Sequence, residues 1–87
     1  MLSLLDFHAE WCGPCHAMAP ILDNVMKEFK DKIDLKKIDV DAEPAEAQKY
    51  GIMSIPTLIL LKDSVEIGRK TGLSSEEDLK TWLTENL

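Results

Sequence analysis

Cysteine is scarce in this sequence, with two residues in 87. That is too few for a disulfide-stapled scaffold. Basic residues are also short: Lys and Arg number 10 against 16 Asp and Glu, for a net charge of −6 and a pI near 4.7. Nucleic acid and anionic membranes are therefore not expected as partners. No stretch reaches the roughly 18 consecutive apolar residues that a spanning helix needs. The N-terminus carries no basic leader, and Asp6 interrupts the apolar run Leu2 to Phe7. Neither a signal peptide nor a membrane anchor is expected, and a cytoplasmic location is. Internal repeats, low-complexity stretches and linkers are absent as well.

What is present is an ordinary globular balance, 45% apolar and 30% charged. Eighty-seven residues make a single domain spanning 1–87. A chain of this size buries only about 60 to 65% of its unfolded surface, so its core is small.

Leu2 to Phe7 reads as a short buried strand. Apolar residues then recur at Met18, Ile21, Leu22, Val25, Met26 and Phe29. This spacing predicts an amphipathic helix from about Cys12 to Lys30, with Pro14 in its first turn and a kink at Pro20. Ile33 to Val40 alternates as a second strand, and Glu43-Pro44 opens a short helix stopped by Gly51. Thr57 to Leu61 is a dense apolar strand, and Lys62-Asp63-Ser64 turns it into a fourth, Val65 to about Lys70. Ser74 with Glu77 predicts a capping box before a last helix whose buried face holds Leu79, Trp82, Leu83 and Leu87. The order β-α-β-α-β-β-α describes an α/β fold. Its strand–helix–strand units imply parallel crossovers and its last two strands a hairpin, in a four-stranded mixed sheet with helices on both faces.

The two cysteines sit three apart in Trp11-Cys12-Gly13-Pro14-Cys15, where the first strand hands over to the first helix. Unpaired N–H groups and the helix dipole stabilise an anion at that position. The thiolate is the reactive form of cysteine, so the helix end favours Cys12 as an attacking thiol. Cys15, one turn further in, is expected to be shielded and to act as the resolving thiol. Other readings of the motif are weaker. Cys12-x-x-Cys15-His16 spells a c-type haem attachment signal, but no leader accompanies it. His8, Cys12, Cys15 and His16 are spaced too tightly for a zinc set, and no metal is expected. Asp39, Asp41 and Glu43 open like a calcium loop that then fails at Pro44 and Tyr50, leaving a solvated acidic cluster.

With these residues in view the chain closely resembles the thioredoxin family. The matches are Asp6-Phe7, Trp11 to Cys15, Pro20, Lys37, Asp39-Val40-Asp41, Lys49 to Ile52, Ser54 to Thr57 and Gly72, in the family's order. The resemblance implies a thiol–disulfide oxidoreductase that reduces protein disulfides. Cys12 would attack the substrate, and Cys15 would resolve the mixed disulfide. It implies that Asp6 is a buried carboxylate beneath the pair, that Lys37 modulates it, and that Ile55-Pro56 is a cis peptide. Trp11, Gly13, Pro14, Ile55, Pro56 and Gly72 would rim a flat apolar substrate groove. No cofactor is implied beyond the Cys12–Cys15 pair itself. The implied partners are disulfide-containing proteins and, as electron donor, a flavin-dependent thioredoxin reductase.

Three departures from the family pattern stand out. Family members usually carry another strand and helix before the strand that holds Asp6. The expected fold is thus a minimal thioredoxin fold of low thermal stability for the family, with Ile33–Val40 as an open edge. Asp34, Lys36 and Lys37 are charges of the kind that blunt such an edge, so a monomer is expected and an edge-paired dimer is the alternative. His8 stands where the family has a bulky aromatic, and His16 where it has Lys or Arg. The pair either touches solvent only or places titratable groups beside the dithiol. Ser64 takes a hairpin position where the family often has Gly.

Overall fold

The computed structural model describes residues 2–87. Its elements are β1 (Leu2–His8), α1 (Gly13–Met26), β2 (Ile33–Asp39), α2 (Pro44–Lys49), β3 (Thr57–Lys62), β4 (Val65–Thr71) and α3 (Glu76–Glu85). The sheet order is β2-β1-β3-β4. β1 and β2 are parallel, and β1–β3 and β3–β4 are antiparallel. The sheet is mixed, as expected, but only the first strand–helix–strand unit returns in parallel. The second reverses direction through the seven residues between Tyr50 and Pro56 and delivers β3 antiparallel to β1.

Alternation along β1 sorts its side chains onto two faces. Leu2 and Leu4 join Met18, Leu22 and Val25 of α1 and Leu79 and Leu83 of α3 in the larger core. Leu5 and Phe7 point the other way, where Tyr50 and Ala47 pack with Ile38, Ile59 and Leu61. Helices therefore cover both faces, and Asp6 and His8 continue the stripe that faces α1. Thr57 to Leu61 is buried throughout, as its composition requires. β2 is an edge strand whose outer side pairs with no strand among the described residues, and Ile33 and Ile38 are its buried residues.

Three boundaries differ from the sequence reading, each for a backbone reason. α1 ends at Met26, although Phe29 keeps the apolar spacing and stays buried. There the N–H groups of Glu28 and Phe29 bond carbonyls three residues back, a tighter turn that ends the α-helical ladder. The cap of α3 is Ser75, whose Oγ accepts from the Asp78 N–H at 3.1 Å, while Ser74 is buried. Leu87 lies beyond α3 and is exposed. A bulge between Leu60 and Leu61 sets Gly68 against Trp82, where an added Cβ would stand 3.3 Å from the indole.

The β3–β4 hairpin turns on Asp63 and Ser64, with φ of 50° and 71°. Two successive residues in the left-handed region are what a type I′ turn demands, and glycine is the favoured second residue. Ser64→Gly is expected to raise the unfolding free energy by about 0.5 to 1 kcal/mol, because the side chain opposes this φ. Urea unfolding should show a higher midpoint with an unchanged slope.

Candidate active site

The topology gathers the motif residues at one end of the sheet. β1 and β2 run in parallel, so the loops at 9–12 and 40–43 leave from the same end. β3 runs against them and starts there, just after Ile55-Pro56. β4 ends there at Thr71, and the N–H of the next residue, Gly72, donates to the Pro56 carbonyl at 2.9 Å. The Ile55–Pro56 bond is cis.

Cys12 is the N-cap of α1, with an extended backbone. Its Sγ accepts from the Cys15 N–H at 3.2 Å, and its carbonyl accepts from His16. The sulfur therefore takes a place usually held by a Ser or Asp oxygen, facing the unpaired donors of the helix end. Cys12 and Cys15 form a disulfide with Cα atoms 5.2 Å apart. Both are buried against Ala9, Val40 and Ile55, at 4% and 7% exposure. Cys15 is shielded, and Cys12 is buried to nearly the same degree, so burial does not separate them. What separates them is surroundings: Cys12 meets the helix N–H groups, whereas Cys15 lines a cavity of about 180 Å³ with Asp6.

Asp6 is 6% exposed on the α1 face of β1. Burial pushes its carboxyl above the ordinary 3.8, opposed by His8 and Lys37 nearby, while Asp23 adds to the rise. Lys37 lies directly across from Asp6 in the β1–β2 register and lines the same cavity. Its ion pair, however, is with Asp23 at 3.0 Å. Asp23 belongs to this constellation and was not singled out from the sequence. The signal was available, because Cys15, Ala19 and Asp23 recur every four residues and share one helix stripe. His8, half-buried, and His16, exposed, both line the cavity. His16 Nε2 lies 2.6 Å from the Glu10 carbonyl, and a carbonyl only accepts, so that nitrogen carries the hydrogen.

On the other side of the disulfide is an apolar hollow of about 380 Å³, lined by Trp11, Val40, Ala47, Ile52, Met53, Ser54 and Ile55. Of the six groove residues expected, Trp11 and Ile55 line it. Gly13 and Pro14 are exposed at the start of α1, Pro56 is buried, and Gly72 is bonded to Pro56. Met53 also lines the hollow, at 97% exposure. The sequence reading missed Asp41 as the anchor of Trp11, whose Nε1 donates to Asp41 Oδ2 at 2.8 Å. Asp39 holds that loop in turn by accepting from the N–H groups of Asp41 and Ala42. No cluster of three or more His, Cys, Asp or Glu is placed to hold a metal among the described residues.

The thioredoxin family model matches residues 1–85. The chain belongs to the thioredoxin family. A thioredoxin of Staphylococcus aureus (strain N315) is 42% identical over 86 residues, which is 99% of this chain and 83% of that protein. Thioredoxins of Rickettsia prowazekii (strain Madrid E) and Rickettsia typhi are 39% and 38% identical over 84 residues, 97% of this chain and 80% of theirs. This member of the thioredoxin family is a thiol–disulfide oxidoreductase, and its redox group is a disulfide within the chain. No helix among the described residues is long and apolar enough to cross a membrane.

Asp6 ties this site to stability. With its folded pKa raised, Asp6 keeps its proton in the native state at pH values where the unfolded chain has lost it. The native state then binds more protons across the window from 3.8 upward to the raised value, and stability falls as pH rises through that window. Asp6→Asn removes this loss. Its unfolding midpoint in urea should exceed the parent's at about pH 8, and the excess should shrink toward about pH 4.

Proposed function

We propose that the chain reduces protein disulfides, with Cys12 as the attacking thiol and Cys15 as the resolving thiol. The observation that carries this reading is the Cys12 sulfur at the N-cap of α1, accepting an N–H that stabilises a thiolate. In the dithiol form, the Cys12 thiolate attacks one sulfur of a substrate disulfide and expels the other as a thiolate. Cys15 gives its proton to Asp6, which shares its cavity, and attacks the Cys12 sulfur. The Cys12–Cys15 bond forms, the bond from Cys12 to the substrate breaks, and two electrons have passed to the substrate.

Lys37 and Asp23 set the charge around Asp6 from β2 and α1. The substrate chain lies across Ile55 and Trp11, in the hollow between α1 and the loop before β3, with Gly13, Pro14, Pro56 and Gly72 framing it. Disulfide-containing proteins are the substrates, and a flavin-dependent thioredoxin reductase returns the electrons, with the flavin held by that partner. The location is cytoplasmic. The protein works as a monomer, because the charges of Asp34, Lys36 and Lys37 along β2 resist pairing with a second copy.

Dithiothreitol-driven reduction of a disulfide-bonded protein tests the assignment. Cys12→Ser should abolish turnover. Cys15→Ser should also lose turnover, but should accumulate a mixed disulfide at Cys12 that survives denaturing electrophoresis without reductant. Undiminished turnover in Cys12→Ser, or a mixed disulfide carried by Cys15, would contradict it. Sedimentation should give a monomer at all concentrations, whereas a concentration-dependent dimer lost on Asp34→Pro would show edge pairing.

A further inference from the structure

The cavity beneath Cys15 holds more titratable chemistry than the resolving step described above uses. Its lining includes Asp6 and His8 from β1, Glu10 from the following loop, Cys15 and His16 from α1, and Lys37 from β2. Three of these groups are committed elsewhere. Lys37 pairs with Asp23, His16 is bound to the Glu10 carbonyl, and Glu10 is exposed. Asp39, across from His8 in the β2 register, accepts from the N–H groups of Asp41 and Ala42.

His8 remains. It is two residues after Asp6, so alternation along β1 puts both side chains on the α1 face. Asp6 is buried and His8 half-buried, and both line the same cavity. The two groups also feel each other, since His8 draws the Asp6 carboxyl down against the effect of burial. No protein hydrogen bond among the described residues occupies the His8 ring. Histidine is the side chain that exchanges protons most readily in the physiological range.

We propose that His8 is a positioning residue for the thiol–disulfide reaction, carrying the Cys15 proton between Asp6 and solvent. This rests on the reading of Asp6 as the group that takes that proton. During resolution the Cys15 proton moves to the Asp6 carboxylate, and the Cys15 sulfur bonds Cys12 as the substrate thiolate departs. Asp6 then passes the proton, through water in the cavity they share, to the His8 ring, which releases it to solvent. Asp6 is thereby returned to the ionised form for the next cycle. When the disulfide is reduced again, the same path runs inward and delivers one proton to Cys15.

Quenched-flow oxidation of the reduced protein by a disulfide-bonded protein separates formation of the mixed disulfide from its resolution. In His8→Gln the formation rate should stay within about 2-fold of the parent, because Cys12 and the helix end are untouched. The resolution rate should fall by about 5-fold or more, and its pH profile should lose the inflection in the histidine range. In His8→Ala, added imidazole should restore that inflection and most of the rate.

Asp6→Asn serves as the control. A normal resolution profile in His8→Gln, with a changed one in Asp6→Asn, would overturn the role of His8 and leave that of Asp6 standing. Normal profiles in both would overturn both. Should the His8 variants unfold, nuclear magnetic resonance titration of the His8 ring in the parent and in Asp6→Asn decides the matter. Coupling predicts that the His8 inflection moves when Asp6 is replaced, and an unmoved inflection contradicts it.

Discussion

The whole arrangement depends on one meeting point: the N-terminus of α1 falls on Cys12. Ala9 closes the bend after β1 by accepting the Cys12 N–H, and the Cys12 sulfur then caps the helix that begins at Gly13. Proline at the first turn suits this start, since its missing N–H is one that the helix leaves unpaired anyway. The sulfur is thus held where the backbone favours negative charge. Cys15 follows from the same geometry. One turn of helix brings its N–H to the Cys12 sulfur and its own sulfur within bonding distance.

The remaining site residues come to this point because strand direction brings them there. A buried carboxyl opposes folding, yet Asp6 sits on the one face of β1 where α1 presents Cys15. Earlier along the same face, Leu2 and Leu4 belong to the main core. The cost of burying Asp6 is eased by His8 and by Lys37, whose charge is shared with Asp23. On the opposite side of the disulfide the surface turns apolar and open. Trp11 is held there by a single hydrogen bond to Asp41, although its ring is 70% exposed. The two sides divide the chemistry. One gathers titratable side chains, and the other is open apolar surface.

Much of this was legible in the residues. Period-2 and period-3.6 patterns gave all seven elements in order, and the Cys12–Cys15 spacing at a strand–helix boundary pointed to redox thiols. The errors have physical causes. Side-chain spacing reports which face is buried, and Phe29 remains buried after the backbone has left the α-helix, so α1 read too long. Ser74 and Ser75 both precede an acidic turn, and only backbone geometry decides which one caps. A strand–helix–strand pattern does not by itself fix strand direction, because a loop as long as 50–56 can bring the chain back either way. Asp41 read as part of a solvated acidic cluster and Asp23 was not singled out, because their partners lie far along the chain. The relation is a matter of register and helix stripe, which a single sequence shows only once the strands are paired.

The central claim is that position at the helix end, and not exposure, makes Cys12 the nucleophile. The two cysteines are almost equally buried in the disulfide form, so exposure alone makes no choice between them. Alkylation of the reduced protein at a series of pH values, with each cysteine quantified by mass spectrometry, addresses this directly. The account predicts that Cys12 is modified first, with an apparent pKa below the ordinary thiol value of about 8.5, while Cys15 lags at every pH. Equal rates at the two residues, or Cys15 reacting first, would contradict it.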